Sequence, residues 1–399
     1  MAPRQRQVTN LPLALYVHLP WCVRKCPYCD FNSHEITDGS FPEQEYVKAL
    51  VRDLEFSVGA LGGNRLETVF LGGGTPSLVS PTGIGAILEA AASRSGLAAD
   101  AEITLEANPG ASDGRRFADY RDLGVNRLSI GVQSFNDDSL KALCRIHTAA
   151  DACAALAMAT EAGFANINID LMYGLPGQSV QAALSDLAAA VNLEPAHISW
   201  YQLTIEPNTV FHARPPSLPD DDSAWEMYAR GCDYLARHGY RRYEVSAWSR
   251  PGSECRHNLN YWQFGDYLGI GAGAHGKLTT HTDGGAPGPA TLRTTITRQS
   301  RRRVPASYIH HAGTDAVIAE RRVLIQDDCI LEFMLNALRL KDGVPLSGFS
   351  ARTGLEPDTI AAQVEAARSD GLLEPEPGLL RATEKGARYL NDLLQYFMP

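Results

Sequence analysis

Apolar residues in this chain fall into short dense runs that alternate with longer helix-like stretches. The dense runs predict strands over Ala14–His18, Thr68–Leu71, Glu102–Glu106, Arg127–Gly131, Asn166–Met172 and His197–Tyr201. Helices are predicted over Glu43–Leu61, Pro81–Ser95, Asp113–Leu123, Asp137–Ala162 and Ser179–Asn192, and another, Ser223–His238, follows the last strand. Such β-α alternation predicts parallel strands with helices outside. Six units make an open, partial (βα)6 barrel rather than the closed eight-stranded one. His18, Glu106, Gly131-Val132-Gln133 and Asp170 all fall at the C-terminal ends of predicted strands, the rim where ligands bind in such folds.

Beyond the repeats the pattern changes. Tyr243–Gly276 reads as irregular and strand-rich. Residues 279–305 are polar and rich in Gly, Pro, Thr and Arg, which predicts an exposed loop or linker. Within that stretch the basic run Arg298, Arg301, Arg302 and Arg303 reads as a solvated charge cluster. Near the C-terminus, Leu331–Leu340, Pro345–Thr353, Pro357–Ser369 and Thr383–Tyr396 predict helices, with a short strand at Leu379–Ala382. That order predicts a winged-helix-like, α-rich domain. The expected division is a tail over 1–12, the barrel over 13–250, a connector over 251–326 and the C-terminal domain over 327–399.

Composition narrows the class. The 399 residues carry 44% apolar and 21% charged residues, ordinary for a globular protein with a sizeable core. A net charge of −10 argues against a general nucleic-acid binder, so no nucleic-acid partner is expected. No apolar run approaches the roughly 18 residues of a membrane span, and Met1–Thr9 lacks the apolar stretch of a secretion signal. A cytoplasmic protein is expected, with peripheral membrane contact left open. Of eight cysteines, Cys22, Cys26 and Cys29 crowd together while Cys144, Cys153, Cys232, Cys255 and Cys329 are scattered, which points to a metal rather than a disulfide framework.

The crowded cysteines stand in Tyr16-Val-His-Leu-Pro-Trp-Cys22-Val-Arg-Lys-Cys26-Pro-Tyr-Cys29-Asp-Phe31, directly after the first strand. Thiolates suit iron–sulfur clusters. A CxxxCxxC loop supplies three of them and leaves one iron of a [4Fe–4S] cluster for an exogenous ligand. Structural zinc would want a fourth protein ligand, for which His18 or His34 is the nearest candidate. The string resembles the radical S-adenosylmethionine superfamily. Within it, the chain resembles the oxygen-independent coproporphyrinogen III oxidase group and the related HemW-type heme chaperones, over roughly residues 13–397.

The resemblance implies that S-adenosylmethionine chelates the open iron and that its reductive cleavage yields a 5′-deoxyadenosyl radical. It also maps the cofactor residues. Gly73, Gly74 and Thr75 of Gly72-Gly-Gly-Thr75-Pro match the loop that meets the amino end of the cofactor. Glu106 matches an acid that contacts it, and Tyr16 and Tyr28 match positions beside the cluster and cofactor; by side-chain chemistry Gln133 could hydrogen-bond the adenosyl group through its amide, Asp170 could accept from ribose hydroxyls, and Arg145 could pair with a carboxylate or other acceptor. Gly269-Ile-Gly271-Ala-Gly273 partly mimics a dinucleotide fingerprint, but without the sixth-position glycine and long helix it reads as a close-packed strand and turn.

Two features separate the chaperones from the oxidases. The oxidases carry a fourth cysteine where this chain has Phe31, and a longer N-terminal region than the 21 residues before Cys22. A third feature, His257-Asn258-Leu-Asn-Tyr261-Trp262, resembles the HNxxYW signature of the chaperones. It implies heme ligation by His257, with Cys255 as a second candidate, since imidazole is a common axial ligand. Tyr261 and Trp262 would offer flat apolar surface to a porphyrin. The expected function is binding of heme and its delivery to heme-accepting respiratory proteins, without coproporphyrinogen oxidase activity and with no catalytic residue assigned. The alternative is oxidative decarboxylation of coproporphyrinogen III to protoporphyrinogen IX. A homodimer is compatible with the family.

Overall fold

A computed structural model describes residues 12–37, 39–59, 64–110, 116–283 and 292–399. Among these residues twelve strands form one sheet. In chain order they are β1 (Leu13–Leu19), β2 (Leu66–Gly73), β3 (Leu97–Ala107), β4 (Arg127–Gln133), β5 (Asn166–Tyr173), β6 (His197–Gln202), β7 (Arg241–Glu244), β8 (Ala247–Ser249), β9 (Asp266–Ile270), β10 (His275–Asp283), β11 (Leu292–Arg301) and β12 (Ile318–Val323). Their order across the sheet is β12-β11-β10-β9-β1-β2-β3-β4-β5-β6-β8-β7. All six predicted strands are present as β1 to β6 and run parallel. This is the expected partial α/β barrel.

The parallel strands are covered on both faces and therefore read as near-continuous apolar runs. In β1, Leu13, Leu15, Val17 and Leu19 are buried together with Ala14 and His18. One core runs from these strands to the helices that flank them, through Leu50, Ile84, Tyr120, Leu156 and Leu187. The long helix predicted over Asp137–Ala162 is instead two, Asp137–Ala142 and Ala149–Glu161. Cys144 takes a φ of +55°, and Thr148 starts the second helix through a capping box with Asp151. The break carries Arg145 towards the sheet's rim. The expected tail, the start of the helix at 113 and the end of the first helix at 61 lie outside the described residues.

The polar stretch at 279–305 is not a linker. Its described residues form β10 and β11, an antiparallel pair in register from His275↔Ser300 to Asp283↔Leu292. Together with β12 they extend the sheet beyond β9, which pairs parallel with β1. Alternation hides this from a hydropathy reading: Ile296 is buried, while Thr, Arg and Gln fill the positions between. The basic run is correspondingly only partly solvated, with Arg303 exposed and Arg301 and Arg298 engaged by acids. Arg301 is 2% exposed and pairs with Asp53, which also accepts from Tyr308 and Ser57. Arg298 pairs with Glu332 and donates to the Tyr267 hydroxyl. The glycine-rich Gly269–Gly273 stretch is close-packed, as expected: a Cβ on Gly269 would stand 1.9 Å from the His275 carbonyl oxygen.

The C-terminal region contains helices Gln326–Ala337, Leu346–Thr353, Ala361–Ser369, Glu384–Arg388 and Leu390–Gln395, with Val344–Pro345 pairing Leu379–Leu380. Its core of Phe333, Met334, Phe349, Ile360 and Leu393 also takes in Phe264 and Ile296. The small domain is thus seated on the sheet extension through shared apolar residues. Among the described residues no helix is long and apolar enough to cross a membrane.

Candidate cofactor cavity

The cysteine loop leaves β1 at the C-terminal rim of the sheet and is pinned at its base. Trp21–Cys22 pairs with His34–Glu35, and the Ile36 N–H donates to the Cys22 carbonyl. Inside the loop the Cys29 N–H donates to the Cys26 carbonyl, and Lys25 Nζ donates to the carbonyls of Phe31 and Ser33. All three thiols are free and half-buried. Burial pushes the Cys22 thiol up to about 11 and raises that of Cys29 as well. Metal binding at these thiols would therefore release protons.

Among the described residues no group of three His, Cys, Asp or Glu converges as it would around one metal ion. The three cysteines instead line a cavity of about 270 Å³. Its walls also hold Tyr28, Gly73, Gly74, Thr75, Glu106, Gln133, Arg145 and Asp170, so eight of the nine cofactor residues read from the sequence come together here. Tyr16, the ninth, lines an adjoining cavity of about 860 Å³.

Glycine is required at two points of the cradle. Gly73 has a φ of +119°, and a Cβ there would stand 2.7 Å from the His18 ring. At Gly74 a Cβ would stand 2.5 Å from the Trp21 carbonyl oxygen. The cradle packs this closely against His18 and the Trp21 backbone only because both side chains are missing. The Gly73 N–H donates to Glu106 Oε2 at 3.0 Å. Burial, with the Asp170 carboxylate nearby, pushes Glu106 up to about 8. Asp170 is raised too, chiefly by burial, although Ser129 and Asn168 donate to it.

The opposite wall is built by hydrogen bonds from the broken helix and β4. Arg145 Nη2 donates to Asn108 Oδ1 at 2.6 Å and to the Gly131 carbonyl at 2.8 Å, while Nη1 lies 3.5 Å from Cys26 Sγ. Gln133 takes a φ of +70°, rare for a residue with a side chain, and accepts from the Tyr201 hydroxyl at 2.8 Å. Asn108, Ser129 and Tyr201 line the cavity but carry no assignment from the sequence. Asn108 stands two residues after Glu106, in Leu105-Glu106-Ala-Asn-Pro, and that proximity is its signal in the sequence. Tyr201, at the end of β6, offered none beyond its place on a strand end.

His257, which the motif implies as a heme ligand, is packed away from the larger cavity. It is 1% exposed, and both ring nitrogens are engaged, Nδ1 with the Thr68 hydroxyl at 2.7 Å and Nε2 with the Tyr261 hydroxyl at 2.8 Å. Burial pushes it down to about 3, so the ring is neutral. Cys255 is fully buried, its thiol raised to about 12 by burial and directed at Glu102. The cause is Glu102, whose carboxylate accepts the Arg256 and His257 N–H groups and draws the helix start Arg256–Trp262 into the core. Tyr261 and Trp262 from the same motif do line a cavity, the larger one.

A parallel partial barrel with three thiols in its first rim loop defines a radical S-adenosylmethionine protein. The family model for the Radical SAM superfamily matches residues 16–188, and that for the HemN C-terminal domain matches residues 324–389. The chain is 47% identical to the heme chaperone HemW of Escherichia coli over 387 residues, covering 97% of this chain and 98% of that protein. It is 43% identical to the heme chaperone HemW of Haemophilus influenzae over 391 residues, covering 97% and 98%. The solved structure of the E. coli coproporphyrinogen III oxidase HemN, a radical SAM enzyme, matches with a TM-score of 0.79 at 23% identity, covering 97% of this chain and 90% of that one. The chain belongs to the HemW family of the radical SAM superfamily. That superfamily implies a [4Fe–4S] cluster and S-adenosylmethionine. The free thiols, the Cβ-less cradle and the buried acids facing it fit that pair.

Proposed function

We propose that this protein binds heme, holds a [4Fe–4S] cluster with S-adenosylmethionine, and delivers the heme to acceptor proteins, among them respiratory ones. The observation that carries this reading is the joining of two cavities at one rim. The thiol-lined one shares Phe31, Gly73 and Glu106 with the larger, aromatic-walled one. The HemW name of relatives that align over nearly the whole chain supplies heme as the cargo.

Cys22, Cys26 and Cys29 would hold the cluster and leave one iron open. Gly73, Gly74 and Thr75 would receive the amino end of S-adenosylmethionine. Glu106 would ionise against that positive charge, which offsets the burial that otherwise keeps it protonated. Gln133 and Asp170 would take the adenosyl and ribose groups, and Arg145 would fix the wall beside Cys26. Tyr28 lines the same cavity as the cysteines, and Tyr16 lines the larger one. When bound, the pair supplies one-electron chemistry at a sulfonium C–S bond, and the chain's part is to orient and shield it. Its place in the family, and Phe31 where the oxidases carry a fourth cysteine, support transfer of heme rather than porphyrinogen turnover as its output.

The test is anaerobic reconstitution of the cluster followed by heme titration at the Soret band, with a parallel assay for protoporphyrinogen IX from coproporphyrinogen III. Saturable heme binding without turnover is expected. Robust turnover, or no heme binding with the cluster intact, would sink the reading.

A further inference from the structure

The larger cavity has a construction that the HNxxYW motif alone does not reveal. At about 860 Å³ it falls in the usual range of ligand sites, roughly 300–1,000 Å³. One wall is aromatic: Tyr16, Tyr261, Trp262, Phe264 and Tyr267. The indole N–H of Trp262 is buried without a hydrogen-bond partner among the described residues. The sheet extension continues the lining beside it, with Lys277 paired in register with Tyr267 and Arg298 donating to the Tyr267 hydroxyl. The alternation of β10 and β11 puts His275 and Lys277 beside Ser300 and Arg298 on the face that lines the cavity. Phe31, 61% exposed, stands where the two cavities meet.

Two histidines line this space, and they differ. His18 is buried, with Nδ1 bonded to the Tyr16 hydroxyl and Nε2 to the Asn32 carbonyl, both at 2.9 Å. His275, on an exposed position just after the Gly271–Ala274 turn, has no hydrogen bond to its ring among the described residues. The cations differ in the same way. Lys277 is 1% exposed and tied to Asp266 at 2.7 Å, and Arg301 is tied to Asp53. Arg303, at the mouth, is exposed and has no ion pair among the described residues.

We infer that this cavity is the heme seat, with His275 as the axial ligand to iron and Arg303 at the mouth as the partner of a propionate. The inference rests on the heme-binding reading above and assigns its site. A flat apolar macrocycle with an iron at its centre and carboxylates at one edge needs three things. Here the aromatic wall meets the plane, the free imidazole meets the iron, and the free guanidinium meets an edge. His257 then has a positioning role, because its ring holds the Tyr261 hydroxyl and so fixes one plate of the wall.

The experiment is a heme titration of the full-length, cluster-reconstituted protein as wild type, His275→Ala, His275→Met, His257→Ala and Arg303→Glu. Each variant is followed by Soret position, ferric spin state and Kd. His275→Ala should shift the Soret maximum and raise Kd about tenfold or more. Exogenous imidazole should restore the wild-type spectrum, and His275→Met should give a distinct thioether-ligated one. His257→Ala should weaken binding without moving the maximum, and Arg303→Glu should weaken it without changing the spin state. A His275→Ala protein with wild-type spectrum and Kd would overturn the assignment while leaving heme binding intact, as would a ligand signature that moves in His257→Ala instead. A wild-type protein that binds no heme would end both this assignment and the reading it rests on.

Discussion

Gly73→Ala is the sharpest test of the cradle, because its effect can be worked from the structure. The backbone at Gly73 has a φ of +119°, a region that residues with a Cβ reach only under strain of about 1–3 kcal/mol. The added methyl would also stand 2.7 Å from His18 Cε1 and 2.8 Å from Nδ1. The ring has nowhere to swing at no loss, since it is bonded at both nitrogens, to Tyr16 and to Asn32. Giving up those two bonds costs about 0.5–1.5 kcal/mol each. The total is about 2–6 kcal/mol, divided between stability and the cradle's shape.

Urea unfolding measures the first share and calorimetric titration of S-adenosylmethionine into the reconstituted protein measures the second. A loss of about 2 kcal/mol or more in the two together is expected. If Gly73→Ala unfolds within about 0.5 kcal/mol of wild type and binds the cofactor equally well, the claim that this position requires glycine is wrong.

Two further predictions concern buried charge. Asp53→Asn leaves the Arg301 guanidinium buried without its counter-ion and should cost about 3–5 kcal/mol in urea unfolding, whereas Asp138→Asn at the exposed Lys141 pair should change nothing measurable. Glu106 is raised to about 8 in the fold, so the native state retains a proton that the unfolded chain releases above its ordinary carboxylate range near 4.5. Its contribution to stability should therefore fall as pH rises from about 4.5 to 8, and Glu106→Gln should flatten that part of the melting-temperature profile of the cofactor-free protein; an unchanged slope would refute the shift.

What the sequence made legible follows from which signals are local. The six parallel strands were readable because each is buried on both faces and bounded by turn residues. The thiol cavity was readable because every strand of such a fold delivers its last residues to one rim, so chain position alone placed Gly73, Glu106, Gln133 and Asp170 together. The β10–β11 pair was not readable. Its strands face the cavity with His, Lys, Arg and Ser, and that polarity looks like a loop until the partner strand and the cavity are known. The break at Cys144–Thr148 was also hidden, although the Thr148-x-x-Asp151 capping box was a usable mark of a second helix start.

The HNxxYW segment shows why a motif locates a site more reliably than it assigns roles within it. Seven residues make the helix Arg256–Trp262, and its register is set from outside by Glu102 on β3, 155 positions before His257 in the chain. Glu102 draws the first turn inward and turns the imidazole to Thr68, so the residue with the most suggestive chemistry is the one withdrawn from the cavity. One helical turn later, Tyr261 projects to the cavity with its hydroxyl still on His257. An acid on a distant strand therefore decides that this histidine supports a wall, while His275, from the sheet extension, lines the cavity with no hydrogen bond to its ring among the described residues.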